Sequence, residues 1–158
     1  MNVFSLLLLL LVIVLYAYLI LVKKELVFVS KRRSAITISV PLFAVGALFL
    51  ATHEAASLWE YFQGILAALL IFSFFLDSKG LANERIVSNA MDIKGIPYGE
   101  VNRVVLLANG KQTKLNFFRR GMRGPLLVFD APVQDVVVFL AERLTEGTPI
   151  EVIVEEEK

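Results

Sequence analysis

The side chains best suited to chemistry in this 158-residue chain are basic. Arg119, Arg120 and Arg123 fall within one short run, Arg119-Arg120-Gly121-Met122-Arg123-Gly124. Glycine frees the backbone there, and guanidinium forks match phosphate oxygens. Three arginines on one loop therefore suit a lipid headgroup, each basic residue adding about 1 kcal/mol near an anionic leaflet. The same run also reads as a solvated turn, as charged loops commonly do. Lys31, Arg32 and Arg33 form a second basic cluster, with Lys23 and Lys24 a few residues earlier. They carry the same lipid-binding reading, although a topology-setting role explains their charge by itself.

A second set of candidates sits in apolar surroundings. Glu60 and Gln63 are the strongly polar residues of the run Ser57–Leu76, and an ionisable group in lipid is a functional candidate by default. Glu60 lies three residues past Ser57, shallow enough to reach the headgroups. His53 is the one histidine, and with a single neighbouring acid it supplies too few ligands for a stable metal site. There is no cysteine, which excludes disulfides, zinc–thiolate sites and a cysteine nucleophile. Gly121–Gly124 lacks the lysine and spacing of a phosphate-binding loop. Glu100, Asp92 and Asp130 are scattered acids suited to turns and caps. The expectation is a protein with no catalytic residues, no cofactor and no metal, and not an enzyme. Residues 77–158 hold eleven basic and twelve acidic residues, which gives no basic face for nucleic acid.

The elements that position these residues begin in the membrane. Val3–Val22 is twenty residues without a charge, followed at once by Lys23-Lys24. At about 1.5 Å per residue it spans the roughly 30 Å of a bilayer core. No basic n-region precedes it and no small-residue cleavage pattern closes it, so it reads as a retained helix. Ala35–Leu76 is long enough for two more crossings, broken at Thr52-His53-Glu54. The expected spans are residues 3–22, 35–52 and 57–76, within a transmembrane region 1–78. Five basic residues between Lys23 and Ser34, and none from there to Lys79, put that loop in the cytoplasm. The N-terminus then lies outside and residues 79–158 form a cytoplasmic domain of a multi-pass cell-membrane protein. Pro41 is tolerated inside the second span because neighbours satisfy the freed carbonyl. Ala56, Glu60, Gly64 and Ala68 recur every four residues on the third span. Such a stripe serves close packing on another span or a homodimer seam.

The cytoplasmic part reads as a small α+β domain, an antiparallel meander of about five strands closed by one helix. Leu81–Val87 and Ala90–Ile96 are expected strands, and Val101–Ala108 is the best one. Asn109-Gly110 signals a hairpin into Lys111–Phe118. Pro125–Phe129 is a further strand. Val133, Val136, Val137, Leu140, Ala141 and Leu144 then form one apolar stripe of a helix running to Glu146, stopped by Gly147 and Pro149. Ile150–Val154 is a last short strand. Val104–Leu107 and Phe117-Phe118 are apolar on both faces, so the sheet curls into a partly closed barrel or sandwich plugged by the helix, or one face meets a partner or the membrane.

The strand entry Pro97-Tyr98-Gly99-Glu100-Val101, the Asn109-Gly110 hairpin and the terminal helix together resemble bacterial PH-like domains that follow two or three membrane helices. The resemblance covers roughly Lys79–Leu144; the strand Ile150–Val154 departs from it. It implies a membrane-associated adaptor or accessory protein with no catalytic residues, whose partners are membrane lipid, a protein or a second copy. A permease subunit using Glu60 and Gln63 is the alternative. The stretch Gly147–Glu157 is similar to the last strand of membrane proteins ending in an OB barrel, but the helix Val133–Glu146 so near the terminus argues against that family.

Overall fold

The computed structural model describes residues 3–32, 34–55, 57–89 and 91–154. They divide into two compact units, residues 3–22 with 32–77, and residues 23–31 with 78–154.

The first unit is helical. α1 (Val3–Glu25), α2 (Ser34–Glu54) and α3 (Leu58–Leu76) are each long and apolar enough to cross a membrane. Lys23 and Lys24 in the last turn of α1 complement its dipole. Ser57 caps α3, accepting from the Glu60 N–H at 3.3 Å. Leu42 and Phe43 are each 68% exposed, a surface that suits lipid. Pro41 stays inside α2, as expected. α2 and α3 approach closely where Gly64 meets Ala51: a Cβ on Gly64 would lie 2.2 Å from the Ala51 Cβ. Hydrogen bonds join α1 to α3. Gln63 Nε2 donates to Ser5 Oγ at 2.8 Å, and the Tyr16 hydroxyl donates to the Leu69 carbonyl at 2.8 Å. Such bonds replace hydration that a bilayer does not offer.

The second unit holds two sheets and a helix. The first sheet runs in the order β1 (Leu26–Val29), β2 (Gly80–Ala82), β3 (Arg85–Val87), β4 (Ile96–Pro97), all antiparallel. The second centres on β5 (Val101–Asn109) and β6 (Gln112–Arg119). On the far side of β6 lie β7 (Met122–Arg123) and β8 (Leu127–Phe129). On the far side of β5 lies β9 (Ile150–Val154). α4 (Val133–Ala141) connects β8 to β9. One core joins both sheets and the helix: Leu81, Ile86, Leu106, Leu115, Phe117, Leu127, Val136 and Leu140 are all sealed from solvent.

Several expectations change. Leu26–Val29, inside the basic loop expected to belong to the transmembrane region 1–78, is a strand of the sheet unit, with Phe28 directed into the core. Leu81–Val87 is not one strand but a tight β2–β3 hairpin, because Asn83-Glu84 turns the chain. Of the expected strand Ala90–Ile96, Ala90 lies outside the described residues and 91–95 are loop, ordered by Asn89 and Asp92 through local bonds that compete with a ladder. The meander is broken, since β9 pairs parallel with β5, Val104 opposite Ile150 through to Ala108 opposite Val154. The sheets do not close into a barrel. They touch where the Lys31 N–H donates to the Val128 carbonyl at 2.6 Å and the Val128 N–H donates to Ser30 Oγ at 3.0 Å. α4 stops at Ala141 rather than Glu146. Arg143 turns back there, donating to the Phe139 carbonyl at 3.0 Å and the Asn83 carbonyl at 3.1 Å while stacking on the Phe139 ring.

Candidate functional site

The β6–β7 turn carries the three arginines. Arg120 takes a left-handed backbone, φ 50°, beside Gly121 at φ 78°, and its N–H donates to Asn102 Oδ1 at 2.6 Å. Asn102 is available because β5 bulges between Val101 and Arg103. The three guanidiniums do not converge on one point. Arg119 forms an ion pair with Glu100. Arg123 is held by Asn116 Oδ1, with its Nε donating at 3.0 Å. The exposed Arg120 extends from the tip of the turn. The loop's charge is thus partly committed inside the domain, and Arg120 is the residue best placed to meet a ligand.

The second basic cluster is split between the units. Lys31 belongs to the sheet unit, its backbone joined to Val128 and its ammonium 3.8 Å from Asp130. Both groups of that pair are more than half exposed, so its net contribution is at most about 1 kcal/mol. Arg32 belongs to the helical unit and stacks on the Phe75 ring at 4.6 Å. Arg33 lies outside the described residues. Val128 pairs with Lys114 near the start of β6, and the arginine turn lies at the other end, five residues or roughly 17 Å along the strand. Lys31 and the turn therefore do not form one anion site.

On α3, Gly64 and Ala68 are buried, and Gly64 is occupied by contact with Ala51 of α2. The small-residue stripe at Gly64 thus serves packing within the chain. Ala56 lies outside the described residues. Glu60 is exposed in the first turn of α3, and together with Glu54, Gln63 and Phe4 it lines a cleft of about 490 Å³ among the helices. Gln63 already donates to Ser5, which fixes its amide. His53 packs beside Phe49, 5.9 Å between ring centres. Among the described residues, no three His, Asp or Glu side chains gather as metal ligands.

Two further features escape sequence reading. Asn116, a buried polar residue between the buried Leu115 and Phe117 of β6, is legible only once it meets Arg123. Tyr98 is buried and its hydroxyl donates to the Ala82 carbonyl at 2.6 Å, tying the start of β5 to β2. Burial pushes that phenol well above its ordinary pKa, and the nearby Arg143 charge offsets the rise only in part. No family model, curated protein or solved structure matches the chain.

Proposed function

We propose that the chain is a non-enzymatic integral membrane adaptor or accessory protein, and that its sheet unit is a divergent PH-like domain that engages a protein partner or anionic headgroups on the cytoplasmic side. The observation that carries this reading is the composite construction of the sheet unit. Residues 23–31 and 78–154 fold together, so the unit receives the chain from the end of α1, returns it to α2, and receives it again from α3. Because β1 and β2 share one ladder, the α1–α2 connection and the C-terminal domain lie on the same side of any membrane the helices cross. The five basic residues of that connection favour the cytoplasm. A folded body fixed by three span ends is suited to presenting a surface at the bilayer. The terminal helix α4 packed on the sheet core supports the PH-like reading, from which the parallel strand β9 departs.

Photo-crosslinking in native membranes tests the adaptor. A photoreactive side chain replaces Arg120 at the turn or the exposed Val138 on α4. The reading expects a discrete protein or phospholipid adduct from at least one position. No discrete adduct from either would overturn it. The cleft holding Glu54, Glu60 and Gln63 favours the alternative of a permease subunit. That alternative expects Glu60→Gln to change solute flux and leave the adducts unaltered.

A further inference from the structure

Four large apolar side chains of the sheet unit stand exposed on β1, just past α1 in the chain, and on the β3–β4 loop. Val27 and Val29 on β1 are 49% and 46% exposed, and they alternate with Phe28, which faces the core. Met91 and Ile93 in the β3–β4 loop are 58% and 70% exposed. The loop is not loosely hung. The Met91 N–H donates to Asn89 Oδ1 at 3.0 Å and the Lys94 N–H to Asp92 Oδ1 at 3.2 Å. The Asp92 N–H donates to the Asn89 carbonyl at 3.0 Å, and the Gly95 N–H to the Asp92 carbonyl at 3.2 Å. A backbone ordered this thoroughly holds two hydrophobic side chains outward, where water disfavours them.

Arg85 fixes where this loop lies. Its guanidinium donates to the Ile93 carbonyl with one arm and, with the other, to Glu25 Oε2 at 2.7 Å. Glu25 is the last residue of α1. Gly95, at φ 60°, is what admits the arginine: a Cβ there would come within 2.9 Å of Arg85 Cδ and 3.0 Å of the Ile86 carbonyl. One guanidinium thus holds Ile93 beside the end of a helix built to span lipid. Val27 and Val29 follow that same helix end by two and four residues, at most roughly 14 Å of extended chain. Lys94 follows Ile93 in the chain and Lys23 and Lys24 precede Glu25, a pairing of apolar and basic residues that suits the headgroup zone.

We propose that Val27, Val29, Met91 and Ile93 form a lipid-contact surface, with Met91 and Ile93 entering the interfacial layer of the bilayer that α1 crosses. The occupant is phospholipid, because Val27 and Val29 follow the last residue of α1 by two and four residues and Arg85 ties the loop to that same Glu25, at the end of a helix long and apolar enough to cross a membrane. The inference rests on the reading that the helices span, and its test separates the two. The chain has no cysteine, so a single environment-sensitive fluorophore can be placed by Met91→Cys, Ile93→Cys, Phe43→Cys or Lys114→Cys in the full-length protein. Phe43 lies within α2 and is 68% exposed. Lys114 alternates with the buried Thr113 and Leu115 on β6 and so points away from the core that both sheets share.

The protein is reconstituted into phosphatidylcholine–phosphatidylglycerol vesicles, with or without lipid spin-labelled near the headgroup. Insertion by 5–10 Å predicts about twofold quenching or more at positions 91 and 93, with blue-shifted emission, and nearly none at 114. Neither 91 nor 93 is packed in the core, and should one variant fold poorly the other carries the same test. Quenching at 91 and 93 no greater than at 114 overturns the inference. Blue-shifted but unquenched emission also overturns it, and assigns the patch to a second copy. Phe43 lies mid-helix, so its quencher is lipid spin-labelled deep in the acyl chain, and absence of quenching there removes the spanning reading, and the inference with it.

Discussion

Phe28 gives the sharpest energetic test of how the sheet unit is built. It reaches the unit from the α1–α2 connection and meets Phe129 and Phe139 edge-on, with ring centres 6.0 and 5.2 Å away. A fully buried Phe→Ala change costs about 3–5 kcal/mol, cavity included. Phe28 is only half-buried, which scales the loss to roughly 2–3 kcal/mol, and its two ring contacts account for about 1–3 kcal/mol of that. A body of this size has roughly 4–12 kcal/mol of stability in all, so Phe28→Ala leaves it folded but much easier to open. Hydrogen exchange in nanodiscs is the assay. Amides of β5 that exchange by global opening should exchange roughly 30–150 times faster in the variant, a factor of ten for each 1.4 kcal/mol. Val27→Ala, next door but outward-facing, should change them less than about twofold, since exposed substitutions stay within about 0.5 kcal/mol. Unchanged exchange in Phe28→Ala would mean that Leu26–Val29 is a passing loop, and would remove the composite domain.

Leu140→Asp should unfold the sheet unit, because Leu140 is fully buried in the core and an unpaired carboxylate there costs several kcal/mol; loss of slow exchange in β5 and β6 is the readout. Gly64→Val should lower the melting temperature in detergent and Gly46→Val should not, since a Cβ at Gly64 runs into Ala51 whereas Gly46 has open space. Tyr98 makes stability pH-dependent at the alkaline end. Its folded pKa is raised, so the folded state keeps its proton longer than the unfolded chain does. The stabilisation is therefore complete below the ordinary phenol value of about 10 and declines as pH rises beyond it. Tyr98→Phe should be less stable at pH 8, lacking the bond to Ala82, yet should lose less on going to pH 11.

What was legible in the sequence follows the strength of its periodic signals. The three spans were plain, because runs of twenty apolar residues have few other uses, and their ends moved by only two or three residues. β5, β6 and α4 were likewise plain from apolar runs, a hairpin signal and a stripe. The hairpin turn itself shifted by one, since Asn109 pairs with Gln112 and the turn residues are Gly110-Lys111. β1 was hidden because four residues between two spans carry no signal of their own; the strand exists only against β2. β9 read as a strand, but its parallel pairing depends on the crossover made by α4. The arginine loop was visible as charge, while the partners of two of its three arginines were not: Glu100 comes from the turn before β5, and Asn116 faces Arg123 only because β7 folds back on β6. The apolar loop at Met91 and Ile93 looked like a strand because only burial separates a core-facing Ile from an exposed one.

β1 belongs to the same folded body as β2, and disulfide formation in the full chain reads this directly. Leu26 and Ala82 are register partners. Ladder partners have Cα atoms about 4.5–5.5 Å apart, inside the range a disulfide bridges. The double change Leu26→Cys with Ala82→Cys should oxidise readily in membranes. Leu26→Cys with Val87→Cys should not, because Val87 lies on β3, two strands from β1. Equal cross-linking of the two pairs, or none in the first, would contradict it.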